Sequence, residues 1–160
     1  MDVMDKAERK TEIGSQGLTL CISICLLFLT SSCSLPRIIV LDDPLSPEEH
    51  LNLGVAYEKK TEFVPAIEEY KKASKKIPRA YVYMGNVYFQ LGELDKAERS
   101  YKTGIEKDPS LADAYNNLAW FYYTKKENLT EAEELASKAV EIDPKNETYR
   151  DTLARIRELK

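Results

Sequence analysis

The chain has 160 residues, 43% of them apolar and 31% charged, with a net charge of −4, which suits one domain rather than two. Mild acidity without a basic run excludes a nucleic-acid surface, which needs clustered Lys and Arg. Cys21, Cys25 and Cys33 all lie within the first 33 residues, so the remainder can build neither a disulfide framework nor a Cys/His metal site.

Residues 18–30, LTLCISICLLFLT, carry no charge. As a helix this stretch rises about 20 Å, short of the roughly 30 Å of a bilayer core, and its length suits the apolar region of a signal peptide. Ser31, Ser32 and Cys33 follow, and LTSSC resembles the lipobox of bacterial lipoproteins. That resemblance implies lipid attachment at Cys33, with Ser32 as the small residue before it. Thr30 departs from the usual Leu, which stands one place further back at Leu29. The leader departs too, because Lys6, Arg9 and Lys10 face Asp2, Asp5, Glu8 and Glu12 where signal peptides prefer positive charge. An uncleaved signal anchor and a buried helix of a cytosolic protein are the alternatives. The expected organisation is a signal peptide over 1–32, a tether over 33–45 and a folded domain over 46–160. Ser34 is not an Asp retention signal, which in enterobacterial-type sorting implies the periplasmic face of the outer membrane.

The folded domain opens on a helix start: Ser46 as N-cap, Pro47 as first helical residue and Glu49 as capping-box partner. A period follows. Gly54, Gly85 and Ala119 each precede a tyrosine by three residues (Tyr57, Tyr88, Tyr122) and an alanine by 12, 12 and 13 (Ala66, Ala97, Ala132). A proline lies 24, 24 and 25 residues beyond each small residue, at Pro78, Pro109 and Pro144. Self-similarity at about 34 residues indicates stacked helical hairpins. The small residue allows the two helices of one hairpin to approach, an aromatic fills the gap beside it, and proline ends each unit.

The pattern resembles the tetratricopeptide repeat, with units at about 47–77, 78–111 and 112–145. Pro78 precedes Tyr81 by three residues where Pro109 precedes Tyr115 by six, so the first turn of the second unit is expected to be missing. The third unit carries one extra turn residue near Lys125 to Asn128. In 146–160, Tyr149, Leu153 and Ile156 make one apolar stripe opposite charged residues, as a capping helix needs. The resemblance implies an all-α, right-handed stack of three hairpins plus a C-terminal cap.

Most prominent residues read as packing. His50 takes a slot where the family usually has an aromatic, and a single helix-borne His makes no Ser–His–Asp or Cys–His arrangement. Acidic pairs such as Glu48–Glu49, Glu68–Glu69 and Glu133–Glu134 read as helix-start charges and solvated faces. No enzymatic activity, cofactor or metal is expected. In the segment NLAWFYYT, Tyr122 takes the packing slot within the hairpin and Phe121 faces the neighbouring repeat. Trp120 and Tyr123, three apart, share another face. The resemblance makes that face part of a concave groove lined by Leu51, Val55 and Glu58, by Val82, Asn86, Phe89 and Gln90, and by Asn116, Asn117, Trp120 and Tyr123. A carboxylate clamp for chaperone tails needs Lys and Asn at the positions of Leu51 and Val55, so that clamp is absent. The expected partner is a protein or peptide segment held by amides and aromatic rings. The expected function is that of a lipid-anchored adaptor for another exported protein in cell-envelope, pilus or secretion-complex assembly. The alternative is a cytosolic or inner-membrane-anchored interaction module.

Overall fold

The computed structural model describes residues 43–160; the expected signal peptide, Cys33 and the expected tether as far as residue 42 lie outside the described residues. Among the described residues seven helices follow one another: α1 (Pro47–Lys59), α2 (Phe63–Ala73), α3 (Arg79–Gln90), α4 (Leu94–Lys107), α5 (Ala112–Lys125), α6 (Leu129–Ile142) and α7 (Glu147–Leu159). Helices α1 and α2, α3 and α4, and α5 and α6 pack as antiparallel hairpins. Each hairpin leans on the next, and α7 closes the stack against α5 and α6.

The local signals act as their chemistry requires. Ser46 Oγ accepts from the Glu49 amide while Glu49 Oε2 accepts from the Ser46 amide at 2.7 Å, completing the capping box. Asp43, at the end of the tether, is fixed to the first hairpin. Its carboxylate reaches His50 Nε2 at 3.2 Å and Lys72 Nζ at 3.4 Å. His50 is buried and its Nδ1 lies 2.5 Å from Glu69 Oε2. The histidine is thus a structural link between α1, α2 and the incoming chain.

The small residues of the repeat make room for a ring, although not the ring the spacing suggested. The aromatic over Gly54 is Tyr70 and the one over Gly85 is Tyr101; both come from the outer helix of the same hairpin. Tyr57 and Tyr88, three residues past the glycines, are instead half-buried at the edges of the core. The equivalent pair in the third hairpin is Ala119 with Ala136, both fully buried. A glycine–tyrosine pair has been exchanged for two alanines, which conserves a close approach with a different division of volume.

The shortened junction between the first two hairpins is also placed differently from expectation. Helix α3 keeps its first turn, starting six residues before Gly85 where α5 starts seven before Ala119. The shortening falls on α2, which has 11 residues against 14 in α4 and α6. After Ala73 the amides of Lys76 and Ile77 both bond its carbonyl, and Pro78 then opens α3. Proline is costless there because a helix-entry N–H has no partner inside the helix.

In the third hairpin the extra residue extends α5, and the turn is made through Lys126 (φ 55°) and Asn128 (φ 48°). The second hairpin needs one such residue, Gly92 at φ 74°. The cap buries Tyr149, Thr152 and Ile156, with Leu153 half-buried. Arg157 Nε and Lys160 Nζ both hold Glu133 of α6, at 2.8 and 3.0 Å, and the Tyr149 hydroxyl donates to Asp113 of α5.

Candidate functional site: a cleft across α1, α3 and α5

The first helices of the hairpins line one side of the stack, and between their C-terminal halves lies a cleft of about 270 Å³. Glu58 of α1 forms one end. Asn86, Phe89 and Gln90 of α3 form the middle, and Asn117, Trp120 and Phe121 of α5 the other end. The last contributor, Tyr101, comes from the outer helix α4.

A polar network crosses the floor. The Tyr101 hydroxyl and the Asn117 amide both donate to Asn86 Oδ1, each at 2.9 Å. Asn116 donates to Asn117 Oδ1 at 3.3 Å. At the α1 end the Tyr70 hydroxyl donates to Glu58 Oε2 at 2.6 Å and Gln90 Nε2 to Glu58 Oε1 at 3.4 Å. Burial, and after it the Glu58 charge, holds both the Tyr70 and Tyr101 phenols well above the usual tyrosine range. They therefore act as hydroxyl donors at any ordinary pH. Because Asn86 Oδ1 already receives two donors, its Nδ2 is the group left for a ligand; among the described residues it donates to no other side chain.

The aromatic end divides into packing and surface. Phe121 and Tyr122 are buried, with Phe121 edge-on to Phe89 of the preceding hairpin at 6.0 Å between centroids. The Tyr122 hydroxyl crosses to Glu98 of α4 at 2.7 Å, so this ring also ties the third hairpin to the second. Trp120 is 36% exposed and rests on Tyr123 at 5.0 Å and 33°.

Of the groove residues expected from the sequence, Asn86, Phe89 and Trp120 line the cleft, together with Glu58, Gln90 and Asn117. Tyr123 supports Trp120 from behind. Leu51 and Val55 sit half-buried at the α1 end, against the core of the first two hairpins. Val82 and Asn116 are corrections: they are buried, at 4% and 6% exposure, because α3, α4 and α5 close over that level of the stack. They offer no ligand surface. Asn116 Oδ1 is buried without a partner. Tyr101 was missed because it belongs to an outer helix; its signal was a tyrosine 16 residues after each glycine, at Tyr70 and Tyr101.

Among the described residues no group of three or more His, Cys, Asp or Glu side chains could hold a metal ion. No described helix is long and apolar enough to cross a membrane. His50 is engaged at both nitrogens, by Asp43 and by Glu69.

Stacked helical hairpins with a cleft along their first helices define a helical-repeat scaffold, a class built for surface recognition. Residues 85–126 match the family model described as TPR repeat, and residues 112–146 the one described as Tetratricopeptide repeat; the second and third hairpins are thus similar to tetratricopeptide repeats. It is 29% identical over 116 residues to Hsp70-Hsp90 organizing protein 3 of Arabidopsis thaliana, covering 71% of this chain and 21% of that protein. With small glutamine-rich tetratricopeptide repeat-containing protein 2 of Mycosarcoma maydis it shares 34% over 96 residues, 58% of this chain and 27% of the relative. The chain therefore spans a quarter or so of the length of these curated relatives. The first TPR of Spaghetti (RPAP3), bound to the HSP90 peptide SRMEEVD, superposes with a TM-score of 0.64 at 21% identity, covering 72% of this chain and 94% of that one. A tetratricopeptide repeat protein from Parabacteroides merdae gives 0.63 at 23% identity, covering 74% and 47%. These likenesses establish the fold, an all-α right-handed stack of three such hairpins with a C-terminal cap.

Proposed function

We propose that the chain is a non-catalytic adaptor that holds a segment of another protein in the cleft across α1, α3 and α5. The observation that carries this reading is the pairing of a partly exposed Trp120 with the Asn86 Nδ2 donor over a polar floor. An aromatic anchor supplies contact area at the centre of a recognition site, and side-chain amides can pair with a peptide backbone. The peptide bound by the first TPR of Spaghetti (RPAP3) supports the mode of binding. On the same reading a lipid at Cys33 ties the domain to the envelope, at the periplasmic face of the outer membrane. There it serves assembly of an envelope, pilus or secretion complex.

Two experiments test the two halves. A photo-crosslinking residue placed at Gln90, in the cleft, is expected to capture a partner in the native envelope, whereas one at Lys71, on an outer helix, is not. Capture only from Lys71 refutes the cleft as the binding face. Metabolic labelling with an alkyne fatty acid is expected to mark the wild type and not Cys33→Ala; label that persists in the variant refutes the anchor.

A further inference from the structure

The structure assigns the cleft a cationic occupant: we infer that a lysine or arginine side chain of the partner segment enters it, with Glu58 as counter-charge. This rests on the cleft being the binding face, as proposed above, and adds the chemistry of what it binds.

Glu58 is half-buried at the cleft and held only by neutral donors, the Tyr70 hydroxyl and the Gln90 amide. Among the described residues no Lys or Arg nitrogen comes within ion-pair distance of it. A carboxylate with two neutral donors keeps lone pairs free and its full charge uncompensated, so a ligand cation gains more there than at an exposed, already paired acid.

The walls suit the rest of such a side chain. Phe89, from the middle helix, and Trp120, from α5, line the same cleft as Glu58. A Lys or Arg stem buries its methylenes along apolar surface while its head stays polar, and a cation near an aromatic face gains a further electrostatic attraction. At about 270 Å³ the cleft lies at the lower edge of the small-molecule range and fits one long side chain rather than a folded ligand. An acidic segment brings a like charge onto Glu58 and is disfavoured.

The test uses the full chain in detergent, immobilised and used to select from a random twelve-residue phage-displayed library. Affinities of the selected peptides are then read by anisotropy of a fluorescein label. The expected result is a recurrent Lys or Arg. Its replacement by norleucine weakens binding to the wild type about tenfold and leaves binding to Glu58→Gln, an isosteric change that retains the acceptor for Tyr70, nearly unaltered. Selected peptides without a basic position overturn the inference, as does a norleucine penalty that is equal on wild type and Glu58→Gln; both leave the cleft itself as the binding face. Peptides that bind Trp120→Ala as tightly as wild type, or no selected peptide at all, remove the cleft reading and this inference with it.

Discussion

Replacing Gly85 by alanine tests how tightly the scaffold fixes its cleft. In an exposed helix interior the change would raise stability by about 1 kcal/mol through helix propensity. Here the new methyl would meet Tyr101 Cδ1 at 2.6 Å and Cζ at 2.9 Å, well inside van der Waals contact. Tyr101 has little freedom to retreat, since its ring is 3% exposed and its hydroxyl is tied to Asn86. Overpacking of this kind costs about 1–3 kcal/mol, so Gly85→Ala is expected to lose about 1 kcal/mol net. Tyr101→Ala alone should lose about 3–5 kcal/mol. With the ring gone, Gly85→Ala should become stabilising by about 1 kcal/mol, because the pair then matches Ala119 and Ala136 of the third hairpin. The four variants of this cycle are compared by urea unfolding, and the expected coupling is about 2 kcal/mol. A Gly85→Ala protein more stable than wild type, or an additive cycle, would show that Tyr101 is not held over Gly85.

Two further outcomes follow from packing and charge. Tyr122→Ala should cost about 3–5 kcal/mol, whereas Trp120→Ala, at a partly open ring, should cost about 1–2 kcal/mol; equal losses in urea melts would return Trp120 to the core. Burial works to raise the Glu69 carboxyl, yet the bonds from Lys72 and His50 prevail and hold it below its ordinary 4.5. A carboxylate depressed in the folded state contributes stability that is full above the unfolded value and lost as pH falls through the folded one. Stability measured from pH 6 to 3 should therefore drop below about pH 4.5, and Glu69→Gln should flatten that drop; an unchanged slope would detach this cluster from acid unfolding.

Much of the fold was legible because its signals are local and repeated. Ser46 with Glu49 and the closing prolines act within a few residues of themselves, and the small residues near the middle of each first helix recur at a fixed spacing. What escaped depended on contacts between elements. Spacing could show that an aromatic belongs beside Gly54 and Gly85, but Tyr57 and Tyr70 both satisfy it, and only the crossing of the two helices chooses Tyr70. The short junction at Pro78 could be taken from either neighbouring helix, and it is α2 that yields it. At the cleft, first-helix positions identified Asn86, Phe89 and Trp120. They could not reveal that Val82 and Asn116 lie below the surface, since the depth of the groove is set by how α3, α4 and α5 close together.

The substitution of two alanines for a glycine and a tyrosine in the third hairpin has a consequence for orientation. Tyr70 and Tyr101 each thread a hydroxyl from an outer helix through to the concave side, at Glu58 and Asn86; Ala136 can send nothing through. The cleft thereby acquires a head and a tail, with the Glu58 carboxylate at the first hairpin and the exposed Trp120 ring at the third. A strand laid along it in one direction meets charge before it meets stacking, and the same strand reversed is out of register with both. In the binding mode proposed above, polarity of this sort would let a scaffold made of similar units read its guest as a vector.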